Sequence, residues 1–478
     1  MFVYSNWLVF FALTSFSCLA LAQMSKGDIK NIYQDNCASC HGKNLQGGMG
    51  GSLIDASWKH GSSDDEVSRS IKYGKPDLGM PAWQHTLSDE QIRSMVVFIR
   101  EQAFLAKQHG STNSLKPEPK IFQSKQHNFK LELIESFDET VWAVSFTNTG
   151  QMFITEKQGR LWFKPTETSD KVLIKGTPDI WLRGQGGLLD VVPHPDYDSN
   201  GWIYLSYAKQ SNDGKNIGMT AVSRGKINKA SWVNEQNIYT AETNLQIATG
   251  AHFGSRIVLD KGYLYFSIGD RGKKEMAQDL SKPNGKIHRL HDDGRVPLDN
   301  PFVNSPNALK TIYSYGHRNP QGLALDTQSN KIWSTEHGPR GGDEINLIKP
   351  GINYGWPKIT YGINYSGTPI SDKTALPGMA QPKHYWVPSI ATAGVEFYRG
   401  EKFSDWKHNF LVTGMSAQEL RRIVIKDENV IQDEVLIKNQ GRVRDVAVSP
   451  SGDIYVAINQ QNKKQGKIFK LVPVNSQL

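Results

Sequence analysis

Two cysteines and a histidine stand close enough together in this sequence to hold a prosthetic group. They form the motif Cys37-Ala-Ser-Cys40-His41. Two thioether bonds can attach a porphyrin through such a pair, and the adjacent histidine ring then lies under the iron as an axial ligand. The motif therefore predicts covalently bound haem c. A thiol redox pair or half of a zinc site is the alternative, but the sequence has no second C-x-x-C.

A six-coordinate haem iron needs a second axial ligand, and a methionine thioether is one that raises the reduction potential. The candidates are Met80, in Gly79-Met80-Pro81-Ala82-Trp83, and Met49, which lies within a glycine-rich turn. We predict Met80, because its surroundings resemble the distal loop of small class I cytochromes c.

Helices must hold this haem motif, and the pattern around it predicts two of them. Residues 28–35 indicate a first helix. Ser88-Asp-Glu-Gln91 is a capping box, and the apolar residues behind it recur at i, i+3, i+4 and i+7, namely Ile92, Met95, Val96 and Ile99. We therefore predict a small all-α cytochrome c domain over residues 24–108. Residues 109–126 contain two prolines and predict an extended linker, which keeps the haem near the second part without fixing the distance.

From residue 127 the sequence favours all-β structure, because short apolar runs alternate with Gly, Asp and Asn. One phrase, a turn followed by an apolar strand, occurs six times, beginning at Gly150, Gly201, Gly262, Asn330, Asn409 and Gly452. Radial repetition of four-stranded blades produces such a series. We predict a six-bladed β-propeller over residues 127–478, with a large sandwich or two barrels as the alternatives.

Polar, glycine-rich segments between these strands could meet at one mouth of the propeller channel. They offer a candidate base, His252, four arginines, and an oxygen-rich loop suited to a hard cation such as Ca²⁺. The arginines are Arg256, Arg318, Arg442 and Arg444. Since no side chain here can accept a hydride, a fused haem domain implies a bound organic cofactor that bears carboxylates.

The order of these segments resembles the soluble PQQ-dependent aldose sugar dehydrogenases and soluble glucose dehydrogenases over residues 130–475. The segments begin at Arg183, His252, Ile268, Gly316, Glu336, Asn353 and Arg442. The resemblance implies that His252 is the general base for the sugar C1 hydroxyl and that the hydride passes to PQQ. It further implies that Asp270 orients His252 and that Arg318 stabilises negative charge on the quinone oxygen.

The same resemblance implies the remaining ligands. Gln185 and Asn319 would line the pocket, Arg442 and Arg444 would bind PQQ carboxylates, and the carbonyl groups of Gly338 and Pro339 would bind the PQQ-linked Ca²⁺. Glu344 and Tyr354 match a second, structural Ca²⁺ site, and Trp386 and Ser389 match a loop that covers PQQ. The sequence also departs from the family. A PQQ-contacting lysine is expected where Ser416, Ala417 and Gln418 stand, and Arg421 or Arg422 is the candidate replacement.

Residues 1–22 predict a cleaved signal peptide that ends in Ala20-Leu21-Ala22, and hence a periplasmic protein. An uncleaved membrane anchor is the alternative, but the apolar run is short and interrupted by Thr14, Ser15 and Ser17. The net charge of +8 is spread along the chain and gives no support for nucleic-acid binding. We expect oxidation of aldose sugars to lactones through PQQ, with electrons passed to the haem and on to a soluble cytochrome or copper protein. The alternatives are a Ca²⁺-dependent propeller lactonase and a non-catalytic sugar-binding propeller.

Overall fold

The computed structural model describes residues 28–55, 57–109, 121–460 and 465–474. The predicted signal peptide and residues 110–120 of the predicted linker lie outside these ranges. A small helical domain precedes a ring of six β-sheets, so both parts of the predicted fold class are confirmed. Within the described ranges, no helix combines the length and the apolarity needed to cross a membrane.

The helical domain is built from four helices, three of which begin with a side-chain cap. They are α1 (Ile29–Asn36), α2 (Ala38–His41), α3 (Asp64–Tyr73) and α4 (Asp89–His109), with a 3₁₀ turn at Pro76–Leu78. The predicted capping box is present at α4, where the Ser88 amide donates to Gln91 Oε1 at 2.9 Å and the Gln91 amide donates to Ser88 Oγ at 3.3 Å. These contacts satisfy backbone groups that the helix itself cannot pair.

Helix α4 is buried on two sides. Its predicted apolar stripe packs on α1 in the core of the helical domain, but the four consecutive residues Val96–Ile99 are all buried. A helix with a single apolar stripe does not bury four residues in a row. The second side of α4 contacts the propeller, so the helical domain is docked on it. The prediction that the linker leaves the distance between the two parts unfixed is therefore wrong.

The chain enters the propeller with β1 (Phe122–Gln123) and β2 (Asn128–Phe137), which belong to the last blade. The first blade contains β3 (Val141–Phe146), β4 (Met152–Glu156), β5 (Arg160–Lys164) and β6 (Val172–Ile174). The second contains β7 (Leu188–Pro193), β8 (Ile203–Gln210), β9 (Gly218–Asn228) and β10 (Ser231–Tyr239). The third contains β11 (Ile257–Asp260), β12 (Tyr263–Ile268), β13 (Lys286–His291) and β14 (Ile312–Tyr315).

The fourth blade contains β15 (Pro320–Asp326), β16 (Lys331–Glu336), β17 (Asp343–Ile348) and β18 (His384–Trp386). The fifth contains β19 (Thr392–Phe397), β20 (Phe410–Gly414), β21 (Glu419–Lys426) and β22 (Asn429–Lys438). The sixth adds β23 (Arg442–Val448), β24 (Ile454–Asn459) and β25 (Gly466–Val474) to β2 and β1. Short helical segments in the loops are α5 (Tyr197–Asn200) and the 3₁₀ turns Thr243–Leu245, Lys274–Ala277 and Ser404–Trp406.

The six repeated phrases coincide with the second strand of each blade, β4, β8, β12, β16, β20 and β24. The ring closes where β2, from the start of the propeller, pairs along its length with β25 from its end. Closure leaves few free strand edges. Residues 122–123, predicted as linker, form β1 and pair with β2, because the Phe122 ring stacks on Phe129 at 5.4 Å and is buried there.

One buried guanidinium occupies the centre of the channel. Arg256 forms ion pairs with Asp190 of the second blade at 3.1 Å and with Asp445 of the sixth at 3.0 Å. Its Nε donates to the Gln321 carbonyl of the fourth blade at 2.8 Å. The first blade joins through the Val144 amide, which donates to Asp445 at 2.8 Å. Arg256 therefore ties the inner strands together and is not free to bind a ligand, contrary to its predicted place among the ligand-binding arginines.

We predict that Phe129→Ala lowers the free energy of unfolding of the propeller by about 3–5 kcal/mol, because it opens a cavity where β2 closes the ring. The Phe129 ring is fully buried against Trp406 at 5.8 Å. Leu133→Ala, on the same strand but with a side chain 51% exposed, is the matched control and should cost far less. Denaturant unfolding followed by tryptophan fluorescence measures both, and equal losses would contradict this account of closure.

Candidate functional site

A cavity of about 510 Å³ opens at the mouth of the propeller channel. All six blades contribute to its wall, since the lining residues lie on or beside inner strands and on the loops that lead to them. Four residues predicted from the sequence line it, namely Gln185, Asn319, Arg442 and Arg444. Residues that sequence reasoning missed are also present, among them Trp142, Lys157, His337 and Met415.

The predicted base and its predicted partner are in contact beside this cavity. His252 precedes β11, and Asp270 follows β12, so strand pairing brings the two loops together. His252 Nδ1 lies 2.6 Å from Asp270 Oδ1, and the His252 amide donates to Gln185 Oε1 at 2.7 Å. His252 has a positive φ of 50°, an uncommon conformation for a residue other than glycine, which these contacts hold in place.

The Asp270 carboxylate is ionised. Burial alone would raise its pKa, but the hydrogen bond and charge of His252 and the charge of Arg318 hold the pKa below its ordinary value. The Gly272 amide and the Trp356 indole also donate to it, at 2.7 and 2.8 Å. An ionised carboxylate only accepts hydrogen bonds, so the proton of neutral His252 sits on Nδ1 and Nε2 is left as the basic nitrogen.

Two arginines beside the cavity keep donors that the protein does not satisfy. Arg318 Nε and Arg444 Nε are buried and have no hydrogen-bond partner among the described residues. His337 between them is neutral, because burial, followed by the charge of Arg318, lowers its pKa to about 3. Burial, followed by the charges of Arg442 and Arg256, lowers the pKa of Arg444 to about 9. Unmatched buried donors are costly, so this wall fits a ligand with several anionic oxygen atoms, such as a tricarboxylate quinone.

The predicted lysine is absent, and its predicted replacements are occupied. Arg421 pairs with Glu419 at 2.5 Å and Asp433 at 2.6 Å, and Arg422 pairs with Glu434 at 2.5 Å. Lys157, between β4 and β5, instead brings an amine to the cavity wall, where Nζ donates to the Gly184 carbonyl at 2.6 Å. The sequence did not predict Lys157 at the cavity, because a lysine in the hairpin turn between β4 and β5 is not distinctive.

The predicted Ca²⁺ residues lie in two places of the fourth blade. The Gly338 amide donates to Asp343 Oδ1 at 2.8 Å, and the Pro339 carbonyl accepts from Ser389 Oγ at 3.4 Å. Within the described ranges, no group of three or more His, Cys, Asp or Glu residues is arranged to hold a metal.

The second predicted Ca²⁺ position contains two close carboxylates. Glu336 and Glu344 both accept from Asn346 Nδ2, at 3.0 and 3.1 Å. Burial, followed by the charge of Glu336, raises the pKa of Glu344 well above its ordinary value. The Asn346 amide group therefore joins the two carboxylates by donating to both, while its Oδ1 is buried without a partner among the described residues. The Tyr354 hydroxyl is engaged elsewhere, since it donates to the Leu347 carbonyl at 2.5 Å.

Trp386 does not face the cavity. Its indole is buried between the fourth and fifth blades, and Nε1 donates to Asp433 at 2.9 Å, because β18 pairs with β17 and turns this side chain into the core. Ser389 lies beside the Gly338–Pro339 carbonyls instead. The structure thus separates the two residues that the sequence placed in one covering loop.

The haem motif lies at the junction of α1 and α2. Cys37 and Cys40 form no disulfide with each other, and His41 Nδ1 lies 2.8 Å from the Gly51 carbonyl, which orients the ring. Met80 packs against the apolar core of the helical domain, whereas Met49 is 86% exposed. The apolar side chains around the motif that are only partly buried, and that a porphyrin would cover, are Leu53, Ile54, Trp58, Met80 and Trp83.

Comparisons with known proteins agree with both domains. Residues 138–470 match the family model described as Glucose / Sorbosone dehydrogenase, and residues 26–99 match the model described as Cytochrome C oxidase, cbb3-type, subunit III. The chain is 38% identical over 353 residues to aldose sugar dehydrogenase YliI of Escherichia coli, covering 72% of this chain and 93% of that protein.

Solved structures extend this agreement to the fold. The apo-form crystal structure of the soluble aldose sugar dehydrogenase from Escherichia coli matches with a TM-score of 0.68 and 37% identity, over 72% of this chain and 100% of that chain. The PQQ-bound aldose sugar dehydrogenase from Streptomyces coelicolor shares the fold, with a TM-score of 0.60 and 22% identity over 76% of this chain and 100% of that chain.

The fold and site define a propeller oxidoreductase with an N-terminal cytochrome c domain. The chain belongs to the glucose/sorbosone dehydrogenase family, and its predicted class of enzyme, a sugar dehydrogenase, is confirmed.

We predict that Met80→Ala lowers the reduction potential of the haem and leaves its attachment intact, because the iron loses a soft thioether ligand. Met49→Ala, at the exposed alternative position, should leave the potential unchanged. Redox titration of the haem absorption bands measures both variants. An unchanged potential in Met80→Ala together with a lowered one in Met49→Ala would reverse the assignment.

Proposed function

We propose that the protein is a periplasmic quinohaemoprotein that oxidises aldose sugars at C1 to lactones with PQQ as cofactor. The observation behind this proposal is the His252–Asp270 pair beside a cavity whose arginines have unmatched buried donors. A base next to an anion-binding wall suits the removal of a proton from a hydroxyl group near an anionic cofactor.

His252 takes the proton of the C1 hydroxyl on Nε2. Asp270 keeps the ring in the tautomer that leaves Nε2 free, and it stabilises the imidazolium that forms. Trp356 and Gly272 fix the carboxylate by donating to both of its oxygens. Gln185 fixes the backbone of the base at 2.7 Å. The four contacts hold the base in a single orientation, which reduces the entropy lost on reaching the transition state.

The remaining cavity residues bind the cofactor. Bound PQQ would accept the two electrons released when the sugar is oxidised. Arg442 and Arg444 supply donors for its carboxylates, Asn319 a polar contact, and Arg318 a cation for a negative oxygen. Lys157 adds a further cation on the side of the first blade, and we assign to it the role that the missing lysine near Ser416 would have had. The Gly338 and Pro339 carbonyls would hold Ca²⁺.

The haem is the proposed outlet for the electrons. Cys37, Cys40 and His41 would hold it, with Met80 on the other face of the iron. A soluble cytochrome or copper protein outside the chain would then receive the electrons one at a time. The predicted signal peptide, residues 1–22, supports a periplasmic location.

We expect His252→Gln to abolish the reduction of the haem by aldoses and to leave PQQ binding intact, because glutamine cannot take a proton at neutral pH. His408→Gln, at an exposed position on the fifth blade, is the control. The haem-loaded protein is supplied with PQQ and Ca²⁺ and mixed with a panel of aldoses, and the ferrous haem band is followed.

The same assay separates the alternatives. A lactonase would hydrolyse lactones without needing PQQ, and a sugar-binding propeller would bind aldoses without reducing the haem. Absence of haem reduction by every aldose in the wild-type protein would refute the dehydrogenase proposal.

We expect Asp270→Asn to lower kcat by about 10²–10⁴-fold, because an amide can donate to Nδ1 and so place the proton on Nε2. Stopped-flow rates of haem reduction in the haem-loaded protein with PQQ and Ca²⁺ test this. A wild-type rate in Asp270→Asn would show that Asp270 has no part in catalysis.

A further inference from the structure

The side of helix α4 that faces the propeller contacts several segments of the fourth blade, among them the short loop of residues 338–342. Arg93, Val97 and Glu101 are spaced four residues apart and so form one stripe on the helix. Arg340 of the loop reaches this stripe, where its Nε donates to Glu101 Oε2 at 2.8 Å and its Nη2 makes a second bond to the same oxygen. At the other end, Arg93 donates to the carbonyls of Ser371, at 3.2 Å, and Asp372.

Apolar contacts accompany these polar ones. Val97 is buried, and a Cβ placed on Gly341 would lie 3.2 Å from its Cγ1, closer than side chains normally approach. Gly341 also has a positive φ of 83°, so its conformation favours glycine, and a side chain here would press on Val97. Ile363 and Val387 of the fourth blade pack into the core of the helical domain.

This loop, residues 338–342, is the one that carries the predicted Ca²⁺-binding carbonyls of Gly338 and Pro339. Three of its five residues are glycine, so it would lose much conformational freedom on becoming ordered. Propeller residues hold its two ends, since the Gly338 amide donates to Asp343 Oδ1 and the Gly342 amide donates to the Trp386 carbonyl, both at 2.8 Å. Arg340 is held by Ile363, with hydrogen bonds of 3.0 Å in both directions, and by Glu101.

We propose that the cytochrome domain contributes to cofactor binding by holding the 338–342 loop. Helix α4 fixes the 338–342 loop through Glu101, Val97 and the core contact of Ile363, and so presents the loop carbonyls in their binding conformation. Docking of the haem domain and binding of Ca²⁺ with PQQ therefore strengthen each other, because a coupling between two sites acts equally in both directions. This inference rests on the proposed function.

The test uses the full haem-loaded chain and the variant Glu101→Gln, which removes the charge but keeps the size of the side chain. We expect the apparent Kd for PQQ at fixed Ca²⁺, measured by calorimetry, to rise about 5-fold or more, the lower end of typical coupling between sites. Asp89→Asn is the matched control, since Asp89 lies on the same helix and pairs with Lys72 inside the helical domain at 2.8 Å. The double variant Glu101→Arg with Arg340→Glu restores the pair and should recover most of the affinity.

A second measurement needs no cofactor. Hydrogen exchange at the amides of Arg340, Gly342 and Ile363, which form hydrogen bonds within and around the loop, should be faster in Glu101→Gln than in the wild-type protein and unchanged in Asp89→Asn. Wild-type exchange and wild-type PQQ affinity in a folded Glu101→Gln would overturn the inference. If the wild-type protein bound no PQQ, the proposed function would fail, while hydrogen exchange would still decide whether α4 holds the loop.

Discussion

The buried guanidinium of Arg256 is the interaction on which the propeller channel depends. Its two carboxylate partners, Asp190 and Asp445, lie on inner strands of the second and sixth blades, and their oxygens also accept the amides of Ile257 and Val144. Gly394 of the fifth blade passes so close that a Cβ would overlap Asp445 Oδ1. A buried charge that lost these partners would be strongly destabilising, so the network fixes the spacing of the inner strands.

The ion pairs of Arg256 also leave the arginines that line the cavity without carboxylate partners. Both buried carboxylates are used by Arg256, so neither is available to Arg444, whose pKa is lowered mainly by burial and further by Arg442 and Arg256. The arginines at the mouth therefore keep donors that the protein does not satisfy. Unsatisfied buried donors are unfavourable, and hydrogen bonds to an anionic ligand would remove that penalty. The same arginines would therefore contribute to the affinity for such a ligand.

The sequence allowed the fold to be predicted well, because its signals are local. Each repeated phrase is a turn and one strand, and each coincides with the second strand of a blade. The His252–Asp270 contact followed from resemblance, and strand pairing provides it. Lys157 and His337 could not be predicted, because they reach the cavity only when separate blades close into a ring. Trp386 was predicted to cover the cofactor, but pairing of β18 with β17 turns its side chain into the core. That pairing, too, depends on the folded sheet and gives no local signal in the sequence.

The boundary between the two domains is the clearest case where sequence and structure differ. Residues 109–126 separate the domains along the chain, yet Ile363 of the fourth blade is 2% exposed and belongs to the apolar core of the cytochrome domain. The apolar stripe predicted for α4 explains the face that packs in the cytochrome domain. The four consecutive apolar residues Val96–Ile99 indicate a second buried face, which contacts the propeller. Separation of the two domains would expose Ile363 and the side of α4 that faces the fourth blade. Apolar burial therefore favours the docked position, and packing as well as the length of the linker determines the distance from the haem motif to the cavity.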